Sequence, residues 1–400
     1  MTNFTMLYKY ELKKILRRKI VWVSTAIILI IIAFTIAASL LGTCYADGVE
    51  IDTNYHMFHV DKEYQQSLDG RVIDQALLEE MKAGYDKIPS GTEKYTLMKE
   101  YQIYARPYSA IFNFVRSTTG MDVSETMQWT ADEQDMYAKR QAMMERKWDS
   151  YLLSQREKDF WKEQEMKIEW PLKFRYKEGY WQLFDCLSTI GLMSLFAITI
   201  SLSGVFPEEH TRKTDQLILS SRFGKKDIYW IKLLAGISFT LMISLLFTMV
   251  SFGISFALYG MEGFSSAFQL MWADYSYPIS VGEAIFISYG MMVAACIITG
   301  VFVMVLSELL RNSIGTLALV MGMIILSMFL NIPVQYRVIS QLWSYLPGEF
   351  IAVWSIFNPQ AVSVFGKICV SWQVVPVIYL LISGVISFMG KKIYMDYQYE

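Results

Sequence analysis

Charged residues are scarce in this sequence. Asp, Glu, Lys and Arg make up 18% of the 400 residues, below the roughly 25% of an average soluble domain. Hydrophobic residues account for 54%, and the mean hydropathy is positive at +0.29. This composition excludes an ordinary water-soluble domain and indicates that lipid is the solvent for much of the chain.

Cysteine is also rare. Of the 4 cysteines, only Cys44 lies in the polar segment 43–180, which excludes a disulfide framework and a C-x-x-C metal knuckle there. Cys44 and Cys186 flank this segment, so a bridge between them is one interpretation. Free thiols are the state that we predict.

Catalytic patterns are missing as well. With 3 histidines there is little from which to build a general base, and His56-x-x-His59 makes only a weak metal site even with a nearby carboxylate. The P-loop pattern is absent, since Gly224-Lys225-Lys226 lacks the motif's first glycine and a hydroxyl residue after the lysine. We therefore predict no enzyme activity, no metal, no cofactor and no ATP binding by this chain itself.

Long apolar runs are the most prominent feature that is present. Six of them approach or exceed the roughly 20 residues needed to cross a bilayer. The first is longer than the apolar core of a signal peptide, so we expect it to be retained as a helix. The predicted transmembrane spans are Ile20–Leu41, Leu183–Phe206, Ile228–Leu258, Ala284–Leu306, Ile314–Leu330 and Trp372–Met389.

The segments between the spans differ in positive charge. Lys and Arg precede span one, separate spans two and three, and follow spans four and six, whereas Tyr259–Glu283 has none. Because Lys and Arg mark cytoplasmic loops, both termini are predicted to be cytoplasmic and residues 43–180 external. The external block carries 19 Lys and Arg against 25 Asp and Glu, so it is acidic inside a basic apolar frame.

These patterns predict an all-α polytopic membrane protein with six transmembrane helices and a mainly helical extracytoplasmic domain. In that domain, helical patterns cover Ser67–Met81, Glu93–Tyr104 and Ala131–Ile168. The predicted parts are a cytoplasmic amphipathic helix (1–19), transmembrane helix one (20–41), the extracytoplasmic domain (42–182), transmembrane helix two (183–206), a cytoplasmic coupling loop or helix (207–227), transmembrane helices three to six (228–392) with a pair of short interfacial or re-entrant helices (342–365), and a cytoplasmic tail (393–400).

Ionisable groups are confined to the ends of the spans. A carrier driven by protons or ions needs such groups deep in the bilayer, so we predict that the energy comes from elsewhere. The largest cytoplasmic feature is the segment between spans two and three, where Pro207 and Gly224 bracket a charged helical stretch with Leu217-Ile218-Leu219 at its centre. Such a surface helix is suited to dock a soluble partner, and a solvated loop of positive-inside charge is the alternative.

This segment resembles the signature of ABC-2 type permeases, the six-helix membrane subunits of ABC exporters. The basic N-terminus, the number of spans and the broken segment before span six extend the resemblance to the whole chain except residues 42–182. That large insert is similar to the one in a subgroup associated with Gram-positive bacteria. The matching residues are Phe206, Glu209, Lys213-Thr214, Leu217-Ile218-Leu219-Ser220-Ser221-Arg222, Lys225 and Lys232.

The resemblance implies a coupling helix that receives motion from a separate ABC ATPase, which binds the ATP, and two permease chains that form the substrate pathway. It also implies a multi-pass protein in the cell membrane of a bacterium, with the lipid bilayer as a further partner and no nucleic acid. The residues that it implies in ATPase coupling are Glu208, Glu209, Arg212, Lys213, Asp215, Arg222 and Lys225.

The predicted function is therefore that of the permease subunit of an ATP-driven exporter, paired as a homodimer or heterodimer. One alternative is an ATP-driven mechanotransmission or sensing protein that acts through its extracytoplasmic domain. The size of the external block motivates that alternative. An ATP-independent carrier is a further alternative, which the uncharged span centres disfavour.

Overall fold

The structure is a computed structural model, and it describes residues 3–46, 49–89, 95–211 and 227–396. The chain is mostly helical, at 73%, with several membrane-length helices and little strand, which confirms the predicted fold class. Its described α-helices are α1 (Asn3–Leu16), α2 (Lys19–Ala37), α3 (Asn54–Ser67), α4 (Gln75–Tyr85), α5 (Ser109–Thr119), α6 (Val123–Gln128), α7 (Glu133–Ser150), α8 (Gln155–Glu165), α9 (Glu178–Asp185), α10 (Leu187–Leu202), α11 (Pro207–Thr211), α12 (Asp227–Tyr259), α13 (Val281–Leu310), α14 (Ser313–Phe329), α15 (Arg337–Ser344), α16 (Val353–Ile356) and α17 (Ser371–Asp396).

In the part of the chain that the structure describes, five helical stretches are long and apolar enough to cross a membrane: Lys19–Leu40, Leu187–Glu209, Asp227–Tyr259, Val281–Leu310 and Ser371–Asp396. The remaining predicted span, Ile314–Leu330, corresponds to α14, an apolar helix of 17 residues. At 1.5 Å per residue, α14 covers about 25 Å, close to the roughly 30 Å of a hydrocarbon core. It is therefore at the lower limit of length for a spanning helix.

The chain divides into two compact units. One, here called the span unit, comprises Met1–Phe34, Phe184–Ile254 and Ile287–Glu400. The other, here called the polar unit, comprises Thr35–Leu183 and Ser255–Phe286. Each unit is therefore built from segments that are distant in sequence. The polar unit combines the residues between α2 and α10 with those between α12 and α13.

In the span unit, glycines allow neighbouring segments to approach closely. A Cβ on Gly191 of α10 would lie 2.8 Å from the Cβ of Ile351, and a Cβ on Gly300 of α13 would lie 2.6 Å from Thr240 Oγ1 of α12. Small residues at such contacts permit the close van der Waals packing that holds segments together in lipid. Burial covers 72% of the apolar stretch of α10 and 22% of that of α17, so α10 is an inner helix and α17 an outer one.

The polar unit has its own hydrophobic core, which includes the buried side chains of Ile73, Leu77, Phe112, Met136 and Phe174. Several of its helices begin at side-chain caps, because a carboxylate or hydroxyl oxygen can accept from the free backbone N–H groups of a first turn. Capping boxes start α6 and α8, with Asp122 and Ser154 as the capping residues. Local sequence therefore defines where these helices start.

The predicted helix Ser67–Met81 is wrong as a single element. The first helix, α3, ends at Ser67, and Gly70 follows with a left-handed φ of 82°. A new helix, α4, begins at Gln75, where Asp74 accepts from Leu77 N at 3.1 Å. The glycine turn and the new cap interrupt the helical pattern.

The predicted helix Ala131–Ile168 is also divided. Its first part, α7, ends at Ser150, and Leu152 adopts a positive φ of 52° before the Ser154 cap starts α8. In the predicted helix Glu93–Tyr104, the described residues form only a 3-10 turn at Tyr95–Leu97 and a π-helical turn at Tyr101–Ala105.

Two short antiparallel hairpins complete the described fold. One pairs β1 (Thr43–Ala46) with β2 (Val49–Thr53), and the other pairs β3 (Val362–Val364) with β4 (Lys367–Cys369). The second hairpin follows the short helices α15 and α16 in the apolar segment before α17. The prediction for residues 342–365 did not include a hairpin.

Candidate functional site

The candidate site lies where α10 gives way to the predicted coupling segment. Pro207 is the first residue of α11, a position where its fixed φ suits a helix and its missing N–H is not needed. Glu208 and Glu209 follow in the first turn of this helix, where negative charge interacts favourably with the helix dipole. The sequence thus directs two carboxylates to the start of the segment.

Glu209 is the centre of a buried ion-pair cluster. Its Oε1 accepts from Lys14 Nζ of α1, and its Oε2 forms an ion pair with Lys232 Nζ of α12. The side chain of Glu209 is 7% exposed and that of Lys232 is 0% exposed. One carboxylate therefore joins α1, α11 and α12, and we refer to Lys14, Glu209 and Lys232 as the Glu209 triad.

Aromatic rings surround the buried end of the triad. The ammonium of Lys232 lies 5.0 Å from the centroid of the Phe206 ring, a cation–π distance. Phe206 contacts Tyr229 and Tyr394, with ring centroids 5.9 Å and 6.0 Å apart. The Tyr229 hydroxyl donates to Ser387 O at 2.8 Å, so α17 is connected to the same cluster.

A second ion pair lies beside the triad and is partly exposed. Arg18 Nε is 3.6 Å from Glu208 Oε2, and Arg18 Nη1 donates to Ser201 O at 2.8 Å. A Cβ on Gly204 would lie 2.2 Å from Arg18 Nη2, so the guanidinium of Arg18 packs directly against this glycine. The connection between α1 and α2 is thereby fixed to the end of α10.

The pKa of Lys14 reflects the same geometry. Burial lowers the pKa of the Lys14 ammonium. The nearby carboxylates of Glu209 and Glu11 raise this pKa by more than burial lowers it, so the pKa lies above its ordinary value. The Lys14 side chain is one-third exposed, whereas Lys232 is excluded from solvent. Glu209 is therefore the group that compensates a fully buried cation, and its loss would leave that cation unpaired.

Of the seven residues predicted in coupling, the structure places Glu208 and Glu209 in these ion pairs. Arg212, Lys213, Asp215, Arg222 and Lys225 lie outside the described residues. Within the described residues, no group of three or more His, Cys, Asp or Glu could hold a metal ion. The four cysteines, all of which are described, are free thiols.

Sequence reasoning did not identify Lys14 and Arg18 as members of the site. It treated them as positive charge flanking span one. The available signal was their spacing with Glu11, since residues three, four and seven apart share one face of a helix. Glu11 is buried at 7% exposure and lies 3.9 Å from Lys14, so this face of α1 is polar yet packed.

The long apolar helices and the buried cluster at their ends define a multi-pass membrane protein. A family model described as ABC-2 family transporter protein matches residues 5–362. The chain belongs to this family, and it is therefore a permease of an ABC transporter. Members of the family are membrane transport components that are not themselves catalytic and that generally work with an ABC ATPase. No curated protein and no solved structure matches the chain.

Proposed function

We propose that this chain is the permease subunit of an ATP-driven exporter in the cell membrane of a bacterium. In this proposal two permease chains form the substrate pathway, and a separate ATPase acts on residues 207–227 from the cytoplasm, where both termini also lie. The Glu209 triad is the observation that carries the proposal. It joins the start of the predicted coupling segment to α1 and to α12.

The triad supports coupling for an energetic reason. Breaking a buried ion pair by removing one partner costs about 3–5 kcal/mol, because the remaining charge is left without compensation. A force on α11 therefore moves Lys14 and Lys232 with Glu209 rather than separating them. Since Lys232 is the sixth residue of the 33-residue helix α12, displacement of the segment is transmitted into a membrane-length helix.

Other features of the chain support the hydrolysis of ATP by a separate subunit. The sequence has no P-loop, and its long helices carry their charges near their ends. Lys and Arg are concentrated in residues 1–19 and 207–227, which supports a cytoplasmic position for both. Export and pairing of two permease chains rest on the resemblance to ABC-2 exporters.

Co-purification with an ATPase tests this function. We expect an ABC ATPase, identified by mass spectrometry, to co-elute with the full-length chain extracted from its native membrane in mild detergent. The double variant Arg212→Ala, Arg222→Ala should lose it. A matched control is the double variant Arg146→Ala, Lys162→Ala, which removes two exposed charges from the polar unit and should retain it.

Two outcomes would contradict the proposal. One is a folded wild-type chain that co-elutes with no ABC ATPase. The other is substrate flux in vesicles that follows an ion gradient and is unchanged without ATP, which would favour a secondary carrier. Cross-linking of differently tagged copies, or of the chain with a second permease, tests the pairing separately.

The polar unit favours a second candidate function. It has a hydrophobic core of its own that includes Ile73 and Phe112. A short connecting loop would not need such a core. ATP-driven motion relayed to this unit would let the protein sense or release something outside the cell. Deleting residues 60–165 separates the two functions, because ATP-dependent transport that survives this deletion would exclude a relay.

A further inference from the structure

The polar unit contains a pocket of about 720 Å³. This volume is in the range of about 300–1,000 Å³ that is typical of small-molecule sites. Its walls come from α3, α5, the turn Tyr95–Leu97 and the residues around the start of α9. All of these elements belong to the polar unit, so the pocket is formed within one compact body.

Lys177 in the pocket wall is a buried cation without a bonded anion. The residue is 9% exposed, and within the described residues its Nζ has no hydrogen bond and no ion pair. Its ammonium lies 5.1 Å from the Phe174 ring centroid. Burial lowers the pKa of Lys177, and the Glu178 carboxylate only opposes this effect. A buried ammonium in this state is costly unless an anion pairs with it.

The other charged groups of the pocket already have partners. Arg106 donates to Asp61 through Nε at 2.6 Å and Nη2 at 2.9 Å, a bidentate pair. Glu178 accepts from Gln65 Nε2 at 3.2 Å. Among the described residues of the wall, Lys177 is therefore the charged side chain that has no hydrogen-bond or ion-pair partner.

Apolar and aromatic surfaces accompany this cation. Phe114 and Tyr101 line the pocket, and Trp181 lines it with an exposed fraction of 39%. The Trp181 ring stacks on Trp272 at 5.8 Å, which holds it in place. A ligand with a flat or aliphatic body would contact these surfaces while its charged end meets Lys177.

We propose that this pocket binds a small organic monocarboxylate with an apolar or aromatic body, whose carboxylate pairs with Lys177. A single charge is favoured because Arg106 is already paired with Asp61, so Lys177 alone among the described wall residues is a cation left to pair with an anion, and the Glu178 carboxylate would repel a second negative charge. This site is independent of the proposed coupling segment. It would give the extracytoplasmic part of the chain a ligand of its own.

Calorimetric titration of the full-length chain in lipid nanodiscs tests the proposal. The probes are N-acetyltryptophan, octanoate and, as an uncharged control, N-acetyltryptophan amide. We expect saturable binding of at least one acid, with the amide at least about 10-fold weaker than its acid. Lys177→Met should weaken acid binding roughly 10- to 100-fold, Lys177→Arg should retain it within a few-fold, and Lys173→Met should not change it, because Lys173 is exposed.

Thermal unfolding of the same variants separates a binding role from a structural one. Lys177→Met removes an uncompensated buried charge, so its midpoint should equal or exceed that of the wild-type chain. Saturable binding of neither acid to the wild-type chain would overturn the proposal. Equal affinity for acid and amide, or unchanged acid binding by Lys177→Met, would overturn it as well.

Discussion

A single carboxylate, that of Glu209, compensates two cations in the span unit. Buried ion pairs are weak evidence for net stability, because desolvation offsets much of the attraction. Separation of the two charges is nevertheless costly, since each buried charge would then lack its partner. This distinction explains how one residue can fix three elements without making the fold unusually stable.

The substitution Glu209→Gln should destabilise the span unit. The Lys232 ammonium would remain fully buried with no counter-charge, at a cost of about 3–5 kcal/mol. Glu208→Gln is the matched control, because its pair with Arg18 is partly exposed at 3.6 Å and should contribute about 0–1 kcal/mol. The measurement is the thermal unfolding midpoint of each variant in nanodiscs.

A second substitution checks the cause of that loss. In the double variant Glu209→Gln, Lys232→Met, the unpaired cation is gone, so much of the lost stability should return. If Glu209→Gln unfolds at the same temperature as Glu208→Gln, the triad does not hold the segment in place.

At the residue scale, sequence analysis identified Glu209 and Lys232 through a family resemblance but did not identify Lys14 as their partner. Sequence analysis treated Lys14 as part of the positive charge that flanks span one. It could not show that Lys14 contacts a residue 195 positions later in the chain. Such a contact depends on how helices pack, which no local pattern contains.

Packing of α10 in the span unit depends on a small residue at its contact with Ile351. A Cβ on Gly191 would meet the Cβ of Ile351 at 2.8 Å and its Cγ2 at 3.0 Å, both below ordinary contact distance. In contrast, a Cβ on Gly253 of α12 meets nothing within 4 Å. Two glycines within helices thus have different roles, one at a packed contact and one on an open surface.

We expect Gly191→Ala to destabilise the span unit by about 1–3 kcal/mol, the usual cost of overpacking. Gly253→Ala should be neutral or stabilising by up to about 1 kcal/mol, because alanine has the higher helix propensity. Thermal unfolding in nanodiscs compares the two variants directly. Equal midpoints would show that α10 does not pack closely against Ile351.

Helix existence was easier to predict than helix ends. The spans follow from apolar length alone, because lipid requires every backbone polar group to be bonded within a helix. In the polar unit, the predicted helix Ser67–Met81 failed at Gly70 and Asp74. Glycine and aspartate each end or start helices in some contexts and continue them in others, so the apolar pattern alone did not reveal the turn at Gly70 and the cap at Asp74.

At the scale of the whole molecule, the distribution of Lys and Arg predicts the orientation of the chain. Residues 43–180 should be external, and both ends of the chain should be cytoplasmic. In a cysteine-free background, a membrane-impermeant maleimide applied to intact cells should label Ser67→Cys and Ser150→Cys, both exposed positions. Lys13→Cys and Lys392→Cys should react only after permeabilisation. Labelling of Lys13→Cys in intact cells would contradict this orientation and the proposed access of an ATPase.

The sequence by itself determined that this is an all-α membrane protein of the ABC-2 family with a large polar insert, because apolar length, charge bias and a local motif are properties of contiguous residues. Tertiary structure decided the Glu209 triad, the close contact between Gly191 and Ile351 and the pocket around Lys177. Each of these joins residues far apart in the chain, and their energies come from burial and close packing. Burial and packing exist only once the segments have come together.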